Sequence, residues 1–392
     1  MTPNAKHNSP PRSDPRTLLV HGGRDPHGFS GMVNTPVHRG STILSRDLES
    51  WQRDSAGNPY AQYGRFGTPT TRSLEDMVAR LEGGYRSLVF PSGLSACCHA
   101  LMSVLKAGDH VLMTNSVYGP VRLFTDQVLK RFNIEVSFYD PLIGGNIRSL
   151  MRPNTRAVYV ESPGSWSFEV QDIPAITHEA HLAGAVVIMD NSWASPLFFQ
   201  PFTHGVDISV QAATKYLVGH SDALLGVATA SEAAWPLLQR GAHDFGQTAG
   251  PDDIFLTLRG IRTLDVRLQR HWETGLLLAE SLLDHKIVKR VMHPALPQDP
   301  GHMLWKRDFT GASGLFGVVL HPVEPHVVHA LFERLNLFGI GLSWGGFESL
   351  VMLSDKPVSD GGHAIRIHAG LESAADLIDD MRQAFCYACS IA

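Results

Sequence analysis

The chain has 392 residues, 43% of them hydrophobic and 18% charged, with a formal net charge of −5. Those are globular values, and the length exceeds what one small core organises, so one large and one small domain are expected. The acidic balance without a basic cluster argues against a nucleic-acid surface, and no apolar stretch approaches the roughly 18 residues of a membrane span.

The first 16 residues, MTPNAKHNSPPRSDPR, hold four prolines and no apolar signal-peptide core. They read as a disordered arm, with a cytoplasmic location expected. Residues 33–44 are an extended, Pro-broken segment, followed by the loop sequence Tyr63-Gly64-Arg65-Phe66-Gly67. Residues 71–81 read as a helix, because Leu74, Met77, Val78 and Leu81 recur at helical spacing before Gly83-Gly84 stops it. Residues 87–90 read as a strand that runs into Pro91-Ser92-Gly93-Leu94 and then an apolar helix to Lys106. A strand, a small-residue turn and a helix N-terminus expose backbone N–H groups at the positive end of a helix dipole. Ser92, Gly93 and Leu94 are therefore the candidate phosphate cradle.

Further strands are expected at 110–114, 134–139, 156–160, 186–189, 208–210 and 224–229, seven in all. Helices at 121–131 and 173–182 between them imply βα repeats and a mostly parallel sheet. Tyr118 follows the 110–114 strand and Glu161 follows the 156–160 strand. Asp190 and Lys215 follow the next two, so both can face the crevice beyond the strand carboxyl ends. An amine there can condense with an aldehyde, and a carboxylate can hold a pyridine nitrogen protonated, which suggests pyridoxal 5′-phosphate (PLP). After about residue 260 a long helical stretch, 262–283, reads as a connector. A strand at 315–320, a helix at 327–335 and the stretches 341–350 and 364–372 then form a small α+β domain. The expected division is an N-terminal arm and inter-subunit segment at 1–70, a large PLP-binding domain at 71–260, and the connector with the small domain at 261–392.

Asp190-Asn191-Ser192-Trp193 and Ala213-Thr214-Lys215-Tyr216-Leu217-Val218-Gly219-His220-Ser221-Asp222 resemble the signature of the Cys/Met-metabolism PLP-dependent enzymes. The resemblance runs over about residues 18–381. It implies the α/β fold of the aspartate aminotransferase type (fold type I), a seven-stranded mostly parallel sheet plus a small C-terminal α+β domain. It also implies site residues. Lys215 would carry PLP and move protons as the catalytic base. Asp190 would meet the ring nitrogen, Tyr118 would lie over the ring and assist proton transfer, and Thr214 would join Ser92, Gly93 and Leu94 at the phosphate. Tyr63 and Arg65 would cross to a neighbouring subunit, Arg65 to the phosphate and Tyr63 to cofactor and substrate. Arg366 would clamp the substrate α-carboxylate, beside Ser343 and Trp344. The ligand would be a small sulfur amino acid, and the assembly a homotetramer built as a dimer of dimers.

Two positions favour the β-eliminating branch of that family, which cleaves L-cystathionine to homocysteine, pyruvate and ammonia in methionine biosynthesis. Ala212 stands where the γ-eliminating relatives usually carry Ser, and Trp344 where they usually carry Leu. Open alternatives are a γ-lyase or γ-synthase, a lyase for cysteine or cystine, and a non-catalytic protein of the same fold. The four cysteines, Cys97, Cys98, Cys386 and Cys389, suggest no bridge. The C-x-x-C at 386–389 ends an amphipathic helical run and lacks the second pair of a zinc site, so no metal is expected.

Overall fold

The structure, a computed structural model, describes residues 14–54, 63–354 and 362–392. Most of the arm expected at 1–16 lies outside these residues. Its last residues are not disordered: Asp14 caps the helix Pro15–His21, accepting the Arg16 N–H at 2.8 Å.

Seven strands build the larger sheet: β1 (Arg86–Phe90), β2 (His110–Thr114), β3 (Glu135–Tyr139), β4 (Thr155–Glu161), β5 (Val186–Asp190), β6 (Ile208–Gln211) and β7 (Gly226–Ala230). Their order is β1-β7-β6-β5-β4-β2-β3. The sheet is parallel except for β7, which runs antiparallel to both β6 and β1. Both faces are covered, as a parallel sheet requires. Along β4 the side chains alternate between two apolar cores: Val158 and Val160 join one, Ala157 and Tyr159 the other.

A second sheet has the order β10-β11-β12-β9-β8. Its strands are β8 (Val288–Met292), β9 (Leu315–Leu320), β10 (Gly339–Ile340), β11 (Leu350–Leu353) and β12 (Ala364–His368). The helices Pro325–Arg334 and Ala374–Ser390 pack on it through a third apolar cluster that includes Val328, Leu331, Leu377 and Phe385. Cys389 packs at the edge of that cluster while Cys386 is exposed, and all four cysteines are free.

The connector expected at 262–283 is the helix Leu264–Ser281, and a separate helix, Pro251–Ile261, precedes it. Between them Thr263 donates its hydroxyl to the Gly260 carbonyl at 3.2 Å and accepts from Arg267 Nε at 3.0 Å, so its side chain competes with the helical ladder. Strand β7 begins at Gly226, two residues later than expected, because Leu225 is tied to Thr214 through both its N–H and its carbonyl. Among the described residues no helix is long and apolar enough to cross a membrane.

Candidate active site

The carboxyl ends of β1, β4, β5 and β6 open onto a cavity of about 280 Å³, closed on the far side by Ser343, Trp344 and Arg366. At one end lies the helix Gly93–Val104. Its N-cap Ser92 accepts the Ser95 N–H at 3.1 Å, which leaves the Gly93 and Leu94 N–H groups without helical acceptors. The helix end is seated closely against β6: a Cβ on Gly93 would stand 2.6 Å from the Ala212 Cβ. Ala212 in turn donates its N–H to Ser192 Oγ at 2.7 Å.

Deeper in the cavity, Asp190 ends β5. Its Oδ1 accepts the Ser192 N–H at 3.0 Å, and Cys97 Sγ lies 3.7 Å from Oδ2. Burial pushes the Asp190 carboxyl above its usual range, against the lowering effect of its hydrogen bonds to Ser192. Glu161 is its register partner on β4. Burial, and then the Asp190 charge, push the Glu161 carboxyl well up, and its Oε2 accepts the Tyr118 N–H at 2.7 Å. That contact fixes Tyr118 at the mouth of the cavity, ahead of the helix Gly119–Gln127.

Lys215 lies four residues beyond β6. Its Nζ donates to Ser343 Oγ at 2.6 Å and sits 5.2 Å from the centre of the Trp344 ring. Burial, helped by the Arg366 charge, lowers this amine to about 8. Arg366, on β12, donates from Nη2 to the Ser343 carbonyl at 3.2 Å and reaches Met352 Sδ at 3.0 Å. It has no carboxylate partner among the described residues. The Ser343 backbone is left-handed, with φ +83°, and Gly345 (φ +86°) packs on the Lys215 main chain. A non-glycine residue held this way is costly and concentrates at functional sites.

The expected residues Ser92, Gly93, Leu94, Tyr118, Asp190, Thr214, Lys215, Ser343, Trp344 and Arg366 all line this one cavity. The Thr214 hydroxyl is engaged with Leu225, donating to its carbonyl at 3.2 Å and accepting its N–H at 3.0 Å. Tyr63 and Arg65 are elsewhere. Tyr63 is exposed, and Arg65 lies against the Phe66 ring with Nη1 3.5 Å from the His243 carbonyl. The cavity also gathers Cys97 and Trp166, which the sequence reading did not single out for the site. An indole inside the Gly164-Ser165-Trp166-Ser167 turn at the end of β4 was the available signal.

This set fits PLP. Unsatisfied N–H groups at a helix N-terminus suit a phosphate, a buried carboxylate suits a protonated pyridine, and a buried amine with lowered proton affinity suits an aldehyde.

A family model described as Cys/Met metabolism PLP-dependent enzyme matches residues 16–386. The chain is 40% identical over 385 residues to the cystathionine beta-lyase MetC of Escherichia coli (strain K12), covering 94% of this chain and 97% of that one. It is 40% identical over 384 residues to the cystathionine beta-lyase of Salmonella typhimurium, again covering 94% and 97%. It is also 37% identical over 389 residues to an L-alanine/L-glutamate racemase of Wolbachia pipientis wMel, covering 94% and 96%.

Proposed function

The chain belongs to the Cys/Met metabolism PLP-dependent enzymes, and from that premise we propose a carbon–sulfur β-lyase that cleaves L-cystathionine to homocysteine, pyruvate and ammonia. Homocysteine is the immediate precursor of methionine, so the reaction belongs to methionine biosynthesis. The observation that carries the reading is the pairing of the Lys215 amine with the Trp344 indole, 5.2 Å apart across the cavity.

Bound here, PLP supplies the electron sink that accepts the charge released when the substrate Cα–H bond breaks. The side chains supply the rest. The N–H groups of Gly93 and Leu94, with Ser92, would hold the phosphate, and Asp190 would keep a proton on the pyridine nitrogen. Arg366 takes the substrate α-carboxylate and so fixes the direction of the Cα–H bond. Lys215 Nζ removes that proton. Its depressed affinity keeps a usable free-base fraction near neutral pH. Lys215 or Tyr118 then delivers a proton to the departing sulfur, and the three-carbon enamine set free hydrolyses in water to pyruvate and ammonia. The Trp344 indole confines Nζ to Cα and the Cβ–S bond. Proton shuttling to Cγ, which γ-elimination needs, is thereby disfavoured.

The relative named L-alanine/L-glutamate racemase makes racemisation the outcome to test against elimination. Incubating PLP-loaded enzyme with L-cystathionine, and separately with L-alanine and L-glutamate, tests the proposal. Homocysteine with pyruvate supports it. Cysteine with 2-oxobutyrate, or racemisation without elimination, refutes it.

We further infer a homotetramer, a dimer of dimers, in which Tyr63 and Arg65 complete a neighbour's site. Support comes from their position outside their own cavity and from exposed apolar residues on the same N-terminal segment, Leu44, Leu48 and Trp51. A cytoplasmic location is in keeping with four unpaired cysteines.

A further inference from the structure

The two cations of the cavity are held by one scheme. Lys215 donates to the Ser343 hydroxyl and Arg366 to the Ser343 carbonyl. Each also faces an indole: Lys215 Nζ lies 5.2 Å from the Trp344 ring centre, and Arg366 Cζ lies 5.0 Å from that of Trp166. Trp166 is unusual in its backbone, with φ +68°, a conformation that bulky side chains rarely adopt. Its loop is locked on both sides. Gly164 donates its N–H to the Glu169 carbonyl at 3.0 Å, Phe168 donates to the Gly164 carbonyl at 3.0 Å, and Ser165 donates to the Ser116 carbonyl at 2.8 Å. A Cβ on Gly164 would stand 2.5 Å from the Ser116 Cβ, so the turn cannot slide along that contact. The strained tryptophan is therefore presented to Arg366 by a rigid turn.

We infer that Trp166 is a positioning residue for Arg366 and sets the enzyme's grip on the carboxylate end of its substrate. The inference rests on the reading of Arg366 as the carboxylate site. A guanidinium attracted to an indole face turns its planar N–H edge outward. Among the described residues only Nη2 of Arg366 is hydrogen-bonded, so Nε and Nη1 remain for an incoming carboxylate. Without the indole, Met352 Sδ and the Ser343 carbonyl alone hold the fork, and both grip the same nitrogen. The side chain then explores other rotamers, and the carboxylate must reorder it on binding.

The test compares Trp166→Phe, Trp166→Leu and Trp166→Gly in the PLP-loaded enzyme. Glycine relieves the left-handed backbone while removing the ring, so it separates a folding effect from loss of the indole. With L-cystathionine, Leu and Gly should raise KM by roughly three- to tenfold with kcat nearly unchanged, and Phe should restore most of the loss. A second readout avoids turnover. Aminooxyacetate, which bears a carboxylate, and methoxyamine, which does not, both react with the bound cofactor, and its absorbance reports the rate. The Leu and Gly variants should slow aminooxyacetate alone. Unchanged rates with both probes, or equal slowing with both, would overturn the inference. Arg366→Ala run in parallel checks its footing: if that variant also leaves the two probes unaffected, the assignment of Arg366 fails, whereas selective slowing by Arg366→Ala but not by the Trp166 variants refutes Trp166 alone.

Discussion

Lys215 Nζ donates to Ser343 Oγ at 2.6 Å, and that serine is held in a left-handed backbone at φ +83°. The same residue offers its carbonyl to Arg366, so one strained position aligns the amine and the guanidinium to which proton transfer and carboxylate binding are assigned in the proposal. Replacing Ser343 by Gly removes its small hydroxymethyl side chain and suits the backbone better. A hydrogen bond from a neutral amine is worth about 0.5–1.5 kcal/mol, so kcat should fall roughly two- to tenfold. The melting temperature should not drop, because the Arg366 contact uses the main chain. Steady-state kinetics and a thermal melt of Ser343→Gly check both halves of this expectation.

The pH response follows from the lowered proton affinity of Lys215, about 8 where an ordinary lysine titrates near 10.5. As the proposed base, Lys215 works only without its proton. Its contribution to kcat should therefore rise about tenfold per pH unit below 8 and level off above it. The stability effect of the cofactor-free protein has the same direction. Between about 8 and 10.5 the unfolded chain holds a proton on Lys215 that the folded chain has lost, so stability rises with pH across that window. Below 8 both states carry the proton and the burial penalty is fully present. Denaturant unfolding at pH 7 and pH 9.5 should show this gain in the native sequence and a smaller one in Lys215→Met.

Trp344 is the proposed reason that chemistry stops at Cβ. Its ring packs on Tyr216, with centroids 5.4 Å apart, and stands 5.2 Å from Lys215 Nζ. Trp344→Leu opens space on the far side of the amine. Cysteine and 2-oxobutyrate should then appear from L-cystathionine beside the β-elimination products. A variant that keeps full β-activity and forms no 2-oxobutyrate would remove Trp344 from the argument.

Gly93 joins stability to cofactor binding. An added Cβ would meet the Ala212 Cβ at 2.6 Å and its Cα at 2.9 Å, with backbone on both sides of the contact. Overpacking of this kind costs about 1–3 kcal/mol. The displaced atoms are the helix N–H groups proposed to hold the phosphate. Gly93→Ala should therefore lose PLP affinity as well as stability, and Ala212→Gly in the same chain should restore part of both. Equilibrium dialysis against PLP and a thermal melt read the two effects separately.

The strands were legible because buried parallel strands are short apolar runs that end on polar residues. Val186 to Met189 closing on Asp190 is the clearest case, and it placed the carboxylate as well as the strand. The serine turn and helix after β1 were legible for a similar reason, since an N-cap and two small residues interrupt an apolar sequence. The Trp166–Arg366 contact was not. It joins a turn to a strand of the other sheet, and no local periodicity encodes a register between them. The helix Pro251–Ile261 was also not read, although the one that follows it, Leu264–Ser281, fell within the expected 262–283.

Arg65 gives the test of shared active sites. Among the described residues Arg65 donates from Nη1 to the His243 carbonyl at 3.5 Å, and it does not line the cavity that holds Lys215. If Arg65 serves a neighbour, Arg65→Ala and Lys215→Ala fail in different sites of a mixed dimer. One site then carries both substitutions and the other carries neither. Each parent should have little activity alone. Random reassembly of equal amounts should recover roughly a quarter of the native rate, since half the dimers are mixed and half of their sites are intact. Absence of recovery, with mixed dimers demonstrated by tagged-chain copurification, would place Arg65 with its own chain's site and end the case for sharing.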